Sequence, residues 1–322
     1  MTQTVDQLAA QEQTLGSIRG IVRTMKALAA VNAPAYEQAA HTIAAYQKTI
    51  EQGFAAFAWC ARENTRENAL LPPAPGAAGG RMVVAFGSDH GFCGNYNGLI
   101  ARAVRAGDQS ARGLTALICV GARLQAALQE YGLRIDAQVL PAASTEGLGR
   151  VAGDVVTWME QLGREHLLQG LRVDLAFMRR TAHGGQAPVL SALLPLDPKL
   201  LAPARRWPSR ALPLLRRPPA ELLPALIRHY LFARAFQAGA EALVTENAAR
   251  LARMQQAEQS VDERLAVLER QLAGLRQDAI TDELMDIVIG HETHRRRRRK
   301  RPGNGDDVSA TPAQAPSTTP QT

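Results

Sequence analysis

The sequence predicts an α/β protein: a long two-helix antiparallel coiled coil made by the N- and C-terminal helices, plus a Rossmann-like α/β domain between them. Three observations carry this. No proline occurs between Ala225 and Arg301, and apolar residues return through that stretch every three or four positions. The N-terminal stretch through Phe57 carries a second stripe of the same period. Between the two, short apolar runs alternate with helix-like segments.

The C-terminal stripe reads Leu223, Leu226, Tyr230, Ala233, Ala240, Val244, Leu251, Met254, Val261, Leu265, Leu268, Leu272, Leu275, Ala279 and Ile289. Gln237, Asn247, Glu258, Asp282 and Asp286 interrupt it, and the positions between favour helix. A seam this narrow and this long is that of a coiled coil. About 70 residues at about 1.5 Å each make a rod of about 105 Å, and one helix cannot bury its own seam. The partner is the N-terminal helix, whose stripe runs Leu8, Leu15, Ile18, Val22, Met25, Ala29, Asn32, Tyr36, Ala39, Ile43, Tyr46, Ile50, Phe57. Asp6 can cap its start, and Pro34 is expected to kink it or to end one segment.

Leu71 to Gly80 has the composition of a linker. Beyond it, Met82–Phe86, Leu114–Val120, Leu133–Leu140 and Val173–Met178 read as strands. Asn97–Ala106, Ala122–Tyr131 and Glu146–Gln169 read as helices. Strand-helix alternation implies a parallel sheet covered by helices. Pro188 to Pro219, rich in proline and arginine, reads as loop or short edge strand. The expected organisation is therefore 1–70, coiled-coil helix; 81–218, α/β domain; 219–292, coiled-coil helix; 293–322, a basic tail without a core of its own.

The net charge of +7 is unevenly placed. Seven of the 37 basic residues stand at Arg295–Arg301, with only Asp306 and Asp307 after them, so the first 294 residues are close to neutral. The high pI therefore describes the tail rather than the folded part. Three cysteines, Cys60, Cys93 and Cys119, make no CxxC pair and suit a reducing compartment. No apolar run reaches membrane-span length, and no apolar leader region precedes the first helix.

Candidate chemistry is sparse. Gly87-Ser88-Asp89-His90-Gly91-Phe92-Cys93-Gly94-Asn95 follows a strand and opens a helix, the usual place for a phosphate loop. It matches neither GxGxxG nor GxxxxGK[ST], and no acidic residue follows the next strand to hold a ribose. A tight strand-to-helix turn is the simpler reading. Cys93 and His90 share that turn without an orienting third group. His291-Glu292-Thr293-His294 lacks the HExxH spacing of a zinc protease. Neither a cofactor, a metal nor a catalytic residue is expected. The Arg295–Arg301 run has the charge to bind nucleic acid, but no basic face with interleaved aromatics accompanies it.

Motifs in three places, the N-terminal helix, the first sheet turn and the long C-terminal helix, carry a resemblance to the γ subunits of F-type ATP synthases. Ile21-Val22-Arg23-Thr24-Met25-Lys26-Ala27-Leu28-Ala29-Ala30 is similar to the family's "ITxAMxMVAA" run. Ser88-Asp89-His90-Gly91-Phe92-Cys93-Gly94 is similar to its "SDxGLCG". Thr245–Met254 resembles "SEHAARMxAM", and Arg276–Val288 (RQDAITDELMDIV) resembles "RQAAITQELTEIV". The likeness covers roughly residues 1–290 in matching order. It departs at Asn32, where the family often has Lys, and at Leu215–Pro219, where it is commonly acidic and tyrosine-containing. It departs again after Ile289, where an Arg-rich tail follows. These departures mark a divergent branch.

The resemblance implies a non-catalytic central rotor shaft that couples transmembrane ion flow to ATP synthesis or hydrolysis on neighbouring chains. It implies alpha, beta and epsilon subunits and a membrane c-ring as partners, at the cytoplasmic face of a bacterial inner membrane. It implies contacts to the nucleotide-binding subunits through Met25, Lys26, Arg250, Arg276, Gln277, Thr281 and Glu283. The alternative is a coiled-coil nucleic-acid-binding or scaffold protein using the basic tail.

Overall fold

A computed structural model describes residues 5–63, 80–108, 113–165, 170–181, 185–202, 207 and 209–299. Most of the expected linker at 71–80, and the tail from Lys300 onward, lie outside the described residues. Two helices, α1 (Val5–Glu63) and α5 (Pro219–Arg299), enclose in sequence the strands β1 (Arg81–Phe86), β2 (Leu114–Val120), β3 (Ala137–Val139), β4 (Arg172–Arg180) and β5 (Gln186–Leu194). Helices α2 (Tyr96–Asp108), α3 (Ala122–Glu130) and α4 (Gly147–Glu165) link the first four strands. The chain divides into two compact units, one of residues 17–262 and one combining 1–16 with 263–322.

In the larger unit the sheet order is β3-β2-β1-β4-β5. The first four strands are parallel, and β5 is antiparallel to β4. Strand β1 is buried along its whole length, as a central parallel strand must be when helices cover both faces. Its alternate residues separate two cores. Met82, Val84 and Phe86 join α1, α4 and α5, whereas Val83 and Ala85 join α2 and α3. A buried ion pair ties the start of β1 to β4: Arg81 Nε lies 2.8 Å from Asp174 Oδ2, and Asp174 has no exposed surface.

Four elements sharpen or correct the sequence reading. Helix α1 passes through Pro34 without ending there. Strand β3 keeps only three residues of the eight-residue run around it. Strand β5 is a nine-residue antiparallel edge strand, longer than the loop or short edge strand read from Pro188 onward. Pro188 is tolerated because β5 is an edge strand, where a missing N–H breaks no central ladder. Finally, α5 runs on to Arg299, through the first residues of the stretch read as tail.

Within the larger unit α1 and α5 are antiparallel: Arg19 pairs with Asp262, Lys26 with Glu258, and Tyr46 with His229. The buried line on α1 is the expected heptad Val22, Ala29, Tyr36, Ile43, Ile50, Phe57. The second line is broader than expected. Ile18, Asn32 and Tyr46 are exposed, whereas Met25 and Ala39 are half-buried as expected, and Arg19, Lys26, Ala33, Ala40 and Gln47, each one residue further on, are half-buried as well. Arg19 and Lys26 enter the interface because α5 supplies Asp262 and Glu258 to meet them. Glu258 takes Arg23 at 2.8 Å and Lys26 at 2.7 Å, which explains the acidic break in the α5 stripe. In the smaller unit, Leu8 buries against Leu268 and Leu272, with Leu15 and Leu275 at the margin.

Candidate functional site: the junction of α5 with the α/β domain

A doubly wound sheet has one natural ligand position, the crevice beyond the carboxyl ends of the strands where the strand order reverses. Here that point lies between β1 and β4. Helix α5 occupies it. Gly239 lies against Phe86, the last residue of β1, so closely that a Cβ there would sit 3.5 Å from the ring. Tyr96, the first residue of α2, donates its hydroxyl to the Ala242 carbonyl at 2.8 Å, and Thr245 Oγ1 lies 3.1 Å from it. Thr245 Oγ1 also reaches the Met178 carbonyl of β4 at 3.3 Å, and Gln186 of β5 donates to the Thr245 carbonyl at 2.9 Å. Small side chains permit this closeness: Ala233, Ala235, Ala238, Ala240 and Ala242 are all buried. At the rim Arg179 pairs with Glu241, Arg180 with Glu37, and Arg228 with Glu160.

The loop 87–95 is fastened from within. Asn97 Oδ1 accepts from the Ser88 amide at 3.0 Å, and its Nδ2 donates to Ser88 Oγ at 2.8 Å. Asp89 Oδ1 accepts from the Ala122 amide at 3.1 Å, and the Ser88 carbonyl accepts from the Arg123 amide at 3.1 Å. The first amides of α3, which in a nucleotide-binding fold would face a phosphate, are thus taken by the protein's own carboxylate and carbonyl. Gly87 is required for this packing, since a Cβ would lie 2.4 Å from that of Leu124. Phe92 holds a φ of 66°. It is exposed on the same loop, a strained backbone presenting an aromatic ring.

Cys93 is buried, 3.4 Å from Ser88 Oγ and 3.9 Å from the His90 carbonyl oxygen, so the structure gives it no imidazole partner. Burial pushes the Cys119 thiol up to about 12, away from thiolate chemistry. Among the described residues no group of three or more His, Cys, Asp or Glu could hold a metal ion.

Arg250, which the resemblance places among the contacts to nucleotide-binding subunits, is partly buried at the junction. Its side chain is 13% exposed, it pairs with Glu246, and its Nε donates to the Gly91 carbonyl at 3.4 Å. Burial raises the Glu246 carboxyl above the usual carboxylate range, against the opposing pull of Arg250. Asn247, also buried, satisfies itself on the Leu243 carbonyl at 2.8 Å. Lys26 is committed to Glu258, and Met25 is half-buried beside it. Arg276, Gln277, Thr281 and Glu283 are all exposed in the smaller unit, with Thr281 Oγ1 bonded only to the Gln277 carbonyl of its own helix. The structure therefore brings Arg250 to the junction and leaves the four C-terminal residues on an open helix face.

Sequence reading missed two features. One is the exposed apolar stripe Ile18, Ile21, Leu28 and Val31 on α1. The other is the exposed row Ile280, Leu284, Met285, Ile287, Val288 and Ile289 on α5. The signal was present in both, as apolar residues beyond what one seam can hold.

Within the larger unit the α/β domain is clamped to an antiparallel helix pair, with α5 lying where the domain's ligand would. A family model described as ATP synthase matches residues 4–293, and the chain belongs to this family as one of its gamma chains. It is 28% identical over 208 residues to an ATP synthase gamma chain of Aromatoleum aromaticum, covering 63% of this chain and 70% of that one. It is 28% identical over 238 residues to the ATP synthase gamma chain of Thermosynechococcus vestitus, covering 64% and 73%. The fold matches a chain of the Euglena gracilis mitochondrial ATP synthase OSCP/F1/c-ring structure with a TM-score of 0.59 at 16% identity, over 95% of this chain and 99% of that one. A chain of the same organism's ATP synthase rotor gives 0.57 at 13%, over 86% and 98%. The match takes in both helices and the α/β domain together, which leaves the nucleic-acid or scaffold alternative without support. Among the described residues no helix is long and apolar enough to cross a membrane.

Proposed function

We propose that this chain is the non-catalytic central rotor shaft of an F-type ATP synthase. It couples ion flow through a membrane ring to ATP synthesis or hydrolysis on alpha and beta subunits, at the cytoplasmic face of a bacterial inner membrane. Epsilon and the c-ring are the further partners. The observation that carries this is the end of α5. From Arg276 to Arg296 every residue is exposed, six of them large and apolar, on a helix whose stretch from Tyr230 to Asn247 is buried or half-buried at every position. An apolar row of that size calls for a surrounding protein surface.

The chemistry of this chain agrees. The one place in the α/β domain suited to a nucleotide is filled by α5, and the amides that would hold phosphate are already bonded. The domain is thus a grip on the shaft. Its clamp combines apolar contacts, which resist separation, with the Tyr96, Thr245 and Gln186 hydrogen bonds, which resist rotation of α5 in its groove. Met25, Lys26, Arg276, Gln277, Thr281 and Glu283 act at the surface facing the nucleotide-binding subunits. Arg250 acts from inside the junction, fixing the loop that presents Phe92.

The test is reconstitution with the nucleotide-binding subunits and the ring. The chain should co-purify with them in fixed sub-stoichiometric proportion. Truncation after Thr293 should leave ATP hydrolysis and ion pumping intact. Truncation after Ala279, which removes Thr281, Glu283 and the apolar row, should lower ions pumped per ATP hydrolysed. A chain that never joins the nucleotide-binding subunits would refute the reading.

A further inference from the structure

Strand β4 ends in two consecutive arginines, and each holds a different long helix. Arg179 Nε lies 2.9 Å from Glu241 Oε2 on α5, and Arg180 pairs with Glu37 on α1. Arg179 is steadied from behind, its Cζ lying 5.2 Å from the centroid of the Phe177 ring. Its partner Glu241 belongs to a series of side-chain hydrogen bonds that returns to the same β-hairpin. Gln237 Nε2 donates to Glu241 Oε1 at 3.3 Å, and Arg234 Nη1 donates to Gln237 Oε1 at 3.3 Å. Arg234 Nη2 then donates to Ser191 Oγ of β5 at 2.9 Å. The hairpin of β4 and β5 therefore meets α5 at Arg234 and at Glu241, about two turns apart, and meets α1 at Glu37.

Apolar packing holds the two helices only loosely in register at this level. A cavity of about 490 Å³ opens among Glu37, Arg179, Arg180 and Glu241, with His41 and Val244 also on its wall. The buried face of α5 beside it is alanine at 238, 240 and 242, and shallow ridges of methyl groups oppose sliding less than larger side chains do. The two arginines supply what packing lacks. Neighbouring α-carbons are about 3.8 Å apart, so Glu37 and Glu241 are indexed to one point of the sheet. A slip of either helix by one residue, about 1.5 Å along its axis and about 100° around it, would part a pair. The four side chains are between 24% and 52% exposed, where ion pairs add little to stability. Their effect is on register. We propose that Arg179 and Arg180 are positioning residues for torque: they lock α1 and α5 against the end of β4, so that load taken at the exposed end of α5 reaches the α/β domain without slip. This rests on the shaft reading above.

The experiment uses the full membrane complex, with ion pumping and ATP hydrolysis measured together while an opposing ion gradient builds. R179Q/R180Q should leave the Tm of the chain and the hydrolysis rate near wild type. Ions pumped per ATP should fall about twofold to fivefold against the gradient, the Boltzmann factor of one or two half-exposed pairs. R179K/R180K should recover most of the ratio, because the charges survive. The exchange R180E/E37R should likewise recover what R180E alone loses, because the pair is restored with its signs reversed. An unchanged ratio in R179Q/R180Q overturns the proposal, and so does an exchange variant no better than R180E. A fall of several degrees in the Tm of R179Q/R180Q overturns it too, since the arginines would then act through the stability of the fold. Failure of the shaft reading looks different: the wild-type chain itself would support no pumping, whatever stands at 179 and 180.

Discussion

Two stretches of the one helix α5 behave in opposite ways. From Tyr230 to Asn247 it is buried or half-buried at every position, including the polar Thr245, Glu246 and Asn247. From Arg276 to Arg296 it is exposed at every position, including Ile287 and Ile289. The first stretch meets α1 on one side and the sheet with α2 on the others, so Thr245 and Asn247 are hydrogen-bonded and five of its buried residues are alanines. The second has no covering neighbour among the described residues. The difference teaches that local hydrophobicity does not decide burial. The first stretch hides an ionisable glutamate, and the second exposes isoleucines, because among the described residues only the first has other elements packed around it.

Phe54→Ala should cause the largest loss. Phe54 is fully buried and meets Tyr230 edge-on, with ring centroids 6.0 Å apart. Emptying that space should cost about 3–5 kcal/mol, measured by denaturant unfolding. A loss below about 1 kcal/mol would mean that the α1–α5 contact here is far looser than its burial implies.

Leu272→Ala comes next. Leu272 shares its cluster with only Leu8 and Leu268 as buried members. The expected cost is about 2 kcal/mol, the low end for buried leucines, because so small a cluster has less packing to lose. Amide hydrogen exchange should show the loss confined to residues near 8 and 272. Protection lost equally in the sheet would show that the two compact units unfold as one.

Glu246 sharpens the comparison through pH. Burial raises its pKa, so the folded chain holds the proton more tightly than the unfolded chain does. Its contribution favours folding below the ordinary carboxylate pKa and fades as pH rises through the raised folded value. Relative to Glu246→Gln, the wild type should therefore lose Tm as pH rises above the ordinary carboxylate pKa of about 4, and level off once the folded carboxyl is ionised. A difference that stays constant as pH rises, or that grows in the wild type's favour, contradicts a desolvated carboxyl.

Ile287→Ser should have the smallest effect on the chain by itself. Ile287 is exposed, so the change should stay within about 0.5 kcal/mol in the isolated protein. In the reconstituted complex the same substitution should weaken retention of the nucleotide-binding subunits. A Tm fall of several degrees in the isolated chain would place Ile287 in a packed environment and end the contrast.

Much of this was legible in the sequence because periodicity is a local property. Heptads at Val22, Ala29, Tyr36 and Ile43, and at Val261, Leu265, Leu268 and Leu272, are spaced by helix geometry alone, and the strand-helix alternation likewise announces a parallel sheet. The missing phosphate fingerprint around Gly87 was equally readable. Other features depended on what another part of the chain supplies. Arg19 and Lys26 lie in the α1 interface only because Asp262 and Glu258 meet them, over 200 residues away in sequence. Strand β5 forms despite Pro188 because it sits at an edge. Arg250 turns inward because Glu246 and the Gly91 carbonyl await it. Above all, the crevice of the α/β domain is filled by α5, a fact set by tertiary packing. Local spacing determines which elements form; the pairing of distant charges and carbonyls determines which faces remain open for partners.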